Sequence, residues 1–214
     1  MLRDRPRWLV AATVLAAVAV TVTVSAWVVL RGSDGGRDQA AQARLARASR
    51  LIQFGRLKDL EEAIGLLRTN LARRPEDFEA RLLLGYSLLT SERSNDAEPQ
   101  FAECARLRPD RAEPLTGLAA CALGRGEIDR AQGLLDRALR VNPSFVQALA
   151  DRGNIHLLKG RRDKALRDFR RVVQLDPRNK QGHLKLAQLY KRAGDTARAR
   201  QHEAAYLATD RPKD

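Results

Sequence analysis

Four prolines recur along the chain at a spacing of 34 residues: Pro75, Pro109, Pro143 and Pro177. An alanine precedes each proline by 12 residues (Ala63, Ala97, Ala131 and Ala165), so two residue types keep the same period. A fixed period of about 20 to 50 residues is typical of a solenoid, because a unit that cannot bury its own apolar face is stacked against further copies. The period therefore predicts a repeat protein.

Each period divides into two helical halves. In the stretch up to Pro109, apolar residues at helical spacing mark one helix (Phe78, Leu82, Leu84 and Leu88) and then a second (Ala97, Phe101, Cys104 and Leu107). A glycine lies near the middle of three periods (Gly126, Gly160 and Gly194), which suits the positive φ of a helix end. Since each proline ends the second helix, the pattern predicts antiparallel helical hairpins.

The predicted hairpins occupy residues 44–77, 78–111, 112–145, 146–179 and 180–213. We expect a first long helix over 38–54 and its partner over 60–71. The later helix pairs are expected near 78–90 with 95–107, 112–123 with 128–140, 146–159 with 162–174, and 180–192 with 196–208.

These hairpins resemble the tetratricopeptide repeat (TPR), through Leu84-Gly85, Ala97, Phe101 and Pro109 in a 34-residue unit. The resemblance extends roughly from Arg44 to the C-terminus. It implies an all-α fold, a right-handed solenoid of about five repeats. The end repeats depart from the pattern, with Arg50-Leu51 in place of Leu-Gly and Glu203 at a large apolar position, as is expected where a solenoid meets water.

The N-terminal region predicts a membrane anchor. Residues 8–30 form an uncharged run of 23 residues after a short basic tail (1–7), with a Trp near each end. As a helix the run would reach about 34 Å, enough to cross a hydrocarbon core of about 30 Å. A flexible linker (31–37) then leads to the solenoid (38–214). A cleaved export signal is the alternative, because Val24-Ser25-Ala26 offers small residues to a peptidase.

The charges around the run predict its orientation. Three arginines in the short tail (Arg3, Arg5 and Arg7) favour a cytoplasmic N-terminus, which would place the repeats in the periplasm or an equivalent extracytoplasmic compartment. The bias is moderate, because four more arginines follow the run: Arg31, Arg37, Arg44 and Arg47.

The sequence contains no recognisable catalytic motif. It lacks CxxC, HExxH and phosphate-binding Gly-rich motifs, so neither an enzyme nor a cofactor or metal is expected. The two cysteines, Cys104 and Cys121, are predicted to be buried free thiols, with a disulfide as the alternative. The three histidines have no metal-type spacing, and packing accounts for His156 and His183.

The formal net charge of +13 has a local concentration over residues 159–171. This basic patch could attract an acidic protein, an acidic polymer or an anionic lipid surface. It is also compatible with an ordinary solvated helix face. Nucleic acid is not an expected partner, because the patch lacks interleaved aromatic residues that would stack bases.

The resemblance further implies a groove, lined by the first helices of successive repeats, that holds a peptide or helix of a partner protein. Carried over by position, its lining is Glu79, Leu82, Tyr86, Leu89, Glu113, Thr116, Ala120, Leu123, Gln147, Ala150, Asn154, Leu157, Gln181, Leu184, Gln188 and Lys191. Tyr86 is the expected anchor. Core packing is the alternative role for Leu82, Leu89 and Leu123.

The lining differs from that of family members which grip a C-terminal carboxylate of a chaperone with Lys, Arg and Asn. In this chain the positions of that clamp hold Leu82, Tyr86, Gly117, Gln147 and Asp151. Recognition of a chaperone tail is therefore not expected. The resemblance implies instead a non-catalytic scaffold, and we expect it to be a scaffold or accessory subunit of an envelope assembly. The alternative function is binding of an acidic polymer or anionic surface through the basic patch.

Overall fold

The computed structural model describes residues 37–54 and 56–209, and the described part is all-α. Its ten helices are α1 (Arg37–Phe54), α2 (Leu57–Arg73), α3 (Phe78–Thr90), α4 (Ser94–Leu107), α5 (Glu113–Gly124), α6 (Ile128–Val141), α7 (Val146–Leu158), α8 (Arg162–Leu175), α9 (Lys180–Arg192) and α10 (Thr196–Ala208). Three of them, α3, α9 and α10, have the bounds that the sequence predicts. The largest difference is at α2, which begins three residues earlier than expected and ends two residues later.

The predicted anchor (8–30) and the tail before it lie outside the described residues, as does nearly all of the linker. Of the helices that the structure does describe, none is both long enough and apolar enough to span a bilayer.

The turns inside the last four hairpins repeat with the 34-residue period. Positive φ angles occur at residues 92, 126, 160 and 194, and the residue after each donates its N–H to the carbonyl five positions earlier, at 2.8 to 3.0 Å. This hydrogen bond is typical of a Schellman helix end. Glycine occupies three of the four positions, as predicted, but Glu92 adopts φ 59° at the first. The turn is therefore set by the repeat even where the sequence gives no glycine.

The chain divides into two compact units. The N-terminal unit ends at Ala131 and the C-terminal unit begins at Gln132, so the boundary falls within α6. In the N-terminal unit α1 packs on α2 and α3 on α4, while in the C-terminal unit α7 packs on α8 and α9 on α10. These pairs are the helical hairpins that the period predicts.

Phe101 organises the core of the N-terminal unit. The side chain is 0% exposed, and a Cβ added at Gly85 or at Gly117 would come within 2.7 or 2.5 Å of its ring. Two helices, α3 and α5, can therefore approach the ring only because they carry glycine there. The surrounding core includes Leu67, Leu83 and Leu88.

Phe169 has the equivalent position in the C-terminal unit. It is also 0% exposed, and a Cβ at Gly153 of α7 would lie 2.9 Å from its ring. Leu186 and Tyr190 of α9 belong to the same cluster. Small residues facing a large one thus give these two hairpins their close helix contact.

Candidate partner-binding surfaces

The groove positions of the N-terminal unit are largely part of its core. Leu82 is 1% exposed and Tyr86 is 6% exposed, and both belong to the buried cluster. The Tyr86 ring meets Phe101 edge-to-face at 5.0 Å, and its hydroxyl donates to the Glu113 carbonyl at 3.3 Å. Tyr86 therefore has too little free surface to be the main anchor expected from the sequence, and Leu82 has the core role weighed as its alternative.

The other groove positions of this unit are also constrained. Thr116 is buried and donates its hydroxyl to the Glu113 carbonyl at 2.7 Å, while the Glu113 carboxylate pairs with Arg111 at 2.6 Å. Glu79 is half-buried, and burial raises the pKa of its carboxyl. Three further positions are half-buried: Leu89, Ala120 and Leu123. Little of this lining is both accessible and free of intramolecular contacts.

In the C-terminal unit, α7 presents a half-buried polar surface. Gln147 donates to the Asp151 carboxylate at 2.9 Å. Burial raises the pKa of Asp151 to about 6, although the hydrogen bond from Gln147 acts in the opposite direction. Asn154 and Leu157 are half-buried and Ala150 is buried. The sequence identifies Asp151 only as a residue at one of the clamp positions, where it differs from the family members that grip a carboxylate. It does not predict a carboxyl with a raised pKa.

The accessible part of the predicted groove lies on α9. Leu184 is 37% exposed, Gln188 and Lys191 are exposed, and Gln181 is half-buried. These four residues are three or four positions apart, so they share one side of the helix. We call this surface the α9 stripe. It combines an apolar side chain, two amides and a cation, which suits contact with an amphipathic segment.

The basic charge is concentrated in the same half of the chain. Residues 132–214 contain 19 Lys and Arg against nine Asp and Glu, a formal net charge of +10, whereas residues 37–131 contain 16 against 15, a net of +1. Arginines of the N-terminal unit pair with nearby carboxylates, as in Arg106–Glu103 at 2.7 Å and Arg125–Glu98 at 2.8 Å. The two units therefore present different electrostatic surfaces.

Some arginines of the C-terminal unit are also paired, and Arg152 makes a network of such contacts. Arg152 donates to both oxygens of Asp168, at 2.7 and 3.0 Å, and to Asp136 at 3.0 Å. The Asp168 side chain is only 8% exposed, and His156 lies 3.8 Å from it. Burial lowers the pKa of His156, so the neutral form is favoured beside this pair. These contacts make the network a structural feature, with α7 tied to α6 and α8.

The structure brings two histidines together that the sequence did not connect. Nδ1 of His183 and Nδ1 of His202 are 2.9 Å apart, and Nε2 of His183 is 3.0 Å from the Pro177 carbonyl. Burial lowers the pKa of His202, with the positive charge of neighbouring groups adding to the effect. The pair joins α9 to α10. The only sequence signal for this contact is that residues 183 and 202 lie on the two helices of the last predicted hairpin.

The cysteines have the state that the sequence predicts. Cys104 and Cys121 are free and buried, and burial raises the pKa of each thiol to about 12. Neither thiol is therefore reactive at neutral pH. Across residues 37–54 and 56–209, no three His, Cys, Asp or Glu side chains are grouped so as to hold a metal ion.

Comparison with known families gives three matches to tetratricopeptide repeat models. They cover residues 45–114, 88–151 and 146–179, and so extend together from residue 45 to residue 179. Among curated proteins, the FK506-binding protein-like protein of Mus musculus is 36% identical over 72 residues, which are 34% of this chain and 21% of that protein. The chain thus spans about a fifth of the length of this relative.

Solved structures share the fold. The thermophilic TPR protein TTC0263 of Thermus thermophilus is 25% identical, with a TM-score of 0.69 over 81% of this chain and 93% of that chain. The pilF protein of Pseudomonas aeruginosa is 19% identical, with a TM-score of 0.71 over 84% of this chain and 80% of that chain. Both likenesses extend well beyond a single hairpin.

Proposed function

Because this chain belongs to the tetratricopeptide repeat family, whose members mediate protein–protein interaction, we propose that it is a membrane-anchored, non-catalytic scaffold. It holds a peptide or helix of a partner protein as an accessory subunit of an envelope assembly. The observation that carries the proposal is the α9 stripe, where predicted groove residues are accessible on one side of a first helix. Leu184 supplies apolar contact there, while Gln181 and Gln188 offer amide donors and acceptors to a segment lying along the helix.

A photocrosslinking amino acid at position 188 tests the stripe. In intact cells we expect it to trap a defined partner, whereas the same residue at Gln201, an exposed glutamine on α10, should not. The further substitution Leu184→Glu should reduce the Gln188 product, because it places a charge in the apolar contact. Leu207→Glu is the matched control, since Leu207 is 66% exposed on α10. Identical products from positions 188 and 201 would refute groove binding.

The proposed location of the repeats is extracytoplasmic, and the proposed anchor is the apolar run 8–30. The composition of this run and the tryptophans near its ends support a membrane span. The full chain should stay in the membrane pellet after alkaline carbonate extraction, and removal of residues 1–36 should release it. A C-terminal tag should be digested by protease added to spheroplasts. Release of the intact full chain by carbonate would contradict the membrane anchor. A tag that is protected in spheroplasts but digested after lysis would contradict the extracytoplasmic location.

A second candidate function is binding of an acidic polymer or anionic surface by the basic patch 159–171. The net charge of +10 over residues 132–214 favours it. Such binding should fall steeply with ionic strength and should be unaffected by Leu184→Glu. Binding that persists in salt and is lost with Leu184→Glu identifies the groove instead.

A further inference from the structure

A basic cavity lies in the C-terminal unit, between α8, the end of α9 and the start of α10. Its volume is about 380 Å³, within the range typical of ligand pockets. Its wall contains four arginines (Arg162, Arg170, Arg192 and Arg198) and two aspartates (Asp163 and Asp195). We call it the arginine pocket. None of its residues belongs to the α9 stripe, so it is a separate surface of the same unit.

The aromatic wall of the pocket holds two of the arginines. Tyr190 is 6% exposed, and its hydroxyl accepts a hydrogen bond from Nε of Arg170 at 2.8 Å. The guanidinium carbons of Arg170 and Arg198 each lie 5.6 Å from the centre of the Tyr190 ring. The ring also stacks in parallel with His202 at 5.6 Å. These contacts hold Tyr190, Arg170 and Arg198 in place, so this part of the wall is formed before a ligand arrives.

The arginines in the wall differ in whether a carboxylate pairs with them. Asp195 caps α10 by accepting the Arg198 backbone N–H at 3.0 Å, and its other oxygen pairs with the Arg198 side chain at 2.9 Å. In contrast, neither Arg162 nor Arg192 has an ion-pair partner within the part of the chain that the structure describes. Arg162 and Arg192 line the pocket and are exposed, so their guanidinium groups remain able to pair with an anionic ligand.

We infer that the arginine pocket binds an acidic segment of a partner protein, with carboxylates paired to Arg162 and Arg192 and an adjacent apolar side chain against Leu166 and Ala193. Arginine presents a planar fork of donors that matches a carboxylate in a bidentate geometry. This inference rests on the proposed function, because it specifies the chemistry of the partner that the scaffold holds.

The composition of the wall favours a peptide over a compact anion. Leu166, Leu189 and Ala193 line the pocket together with Tyr190, so part of the surface suits an apolar side chain. A phosphate group or a lipid headgroup in the centre would lie near the carboxylates of Asp163 and Asp195 and be repelled by them. A peptide can instead place separate carboxylates beside separate arginines.

The test uses the full chain in detergent micelles and a fluorescent peptide in which Glu alternates with Leu and Tyr. Binding is followed by fluorescence anisotropy, and a peptide with Gln in place of every Glu is the control ligand. The double variant Arg162→Gln/Arg192→Gln should weaken binding of the Glu peptide about tenfold or more. The matched variant Arg167→Gln/Arg200→Gln removes the same charge from exposed positions of α8 and α10 outside the pocket, and should change affinity less than about threefold.

Equal weakening by the two double variants, or no weakening by either, would overturn the inference. Vesicles containing phosphatidylglycerol form a separate arm. Vesicle binding that needs Arg162 and Arg192, without binding of the Glu peptide, would assign the pocket to lipid and also overturn it. The crosslink from position 188 separates the two proposals. If the Arg162→Gln/Arg192→Gln variant still traps the partner at full yield, only the pocket assignment fails. If the parent chain, with both arginines present, traps no specific partner from position 188, the scaffold function is rejected.

Discussion

The N-terminal and C-terminal units are built from the same helical hairpin, and each centres on a fully buried phenylalanine against glycine. They differ in what the hairpin leaves accessible. In the N-terminal unit the groove residues Leu82 and Tyr86 are in the core, and residues 37–131 carry a net charge of only +1. In the C-terminal unit the α9 stripe is accessible, and residues 132–214 carry a net charge of +10.

This difference separates the needs of packing from those of recognition. A 34-residue repeat requires small and large residues at fixed positions, and both units meet that requirement. The remaining positions are free to vary. The N-terminal unit uses them for extra core and for local ion pairs, whereas the C-terminal unit keeps polar and cationic side chains available to a ligand.

The first prediction compares the two cores. Phe101→Ala and Phe169→Ala should each lower the free energy of unfolding by about 3 to 5 kcal/mol, because both rings are 0% exposed. Phe101→Ala should cost more, since glycines of two helices adjoin its ring and cannot fill the cavity. Urea unfolding followed by far-UV circular dichroism measures both. Leu207→Ala, at a 66% exposed position, should stay within about 0.5 kcal/mol. Losses for the two phenylalanines no greater than this control would contradict the shared core.

The recurring core positions were visible in the sequence, and so were most helix bounds. Period and residue size specify them directly, because every hairpin has to nest against its neighbours. The αL turn at Glu92 was not visible, since the backbone there follows its equivalents at Gly126, Gly160 and Gly194 rather than its own residue type. Here the tertiary context overrides local preference.

The site was harder to predict than the fold. Family position identifies Tyr86 as a groove residue, but the hydrogen bond to Glu113 and the contact with Phe101 depend on helix packing that spacing alone does not specify. Similarly, the arginine pocket combines side chains from three helices. Residues 162 and 198 are brought to one cavity only by folding of the last two hairpins.

The second prediction tests how the two units use their ion pairs. Arg152→Met should lower the free energy of unfolding by about 1 to 3 kcal/mol, because Asp168, 8% exposed, loses its main cationic partner. Arg106→Gln breaks an exposed pair of the N-terminal unit, and should change stability by less than about 0.5 kcal/mol. A double variant, Arg152→Met with Asp168→Leu, should recover most of the loss. The interpretation fails if Arg152→Met is as mild as Arg106→Gln.

The third and smallest effect depends on pH, and concerns the groove helix α7. The pKa of Asp151 is raised from 3.8 to about 6, so ionisation of this carboxyl costs the folded state free energy. At about pH 3, below both pKa values, the carboxyl is neutral in the folded and unfolded states, and the cost is nearly absent. As the pH rises from there to above 6, the folded state loses about 1 to 3 kcal/mol, since each pKa unit corresponds to about 1.4 kcal/mol.

Asp151→Asn removes that ionisation while its amide oxygen can still accept the hydrogen bond from Gln147. We therefore expect the variant to be more stable than the parent chain at about pH 7.5, and equal to it at about pH 3. Glu203→Gln removes one negative charge from an exposed position of α10 and should show no such dependence. Thermal unfolding at a series of pH values measures the difference. A gain that is the same at both pH values would arise from packing, and would contradict the raised pKa of the Asp151 carboxyl.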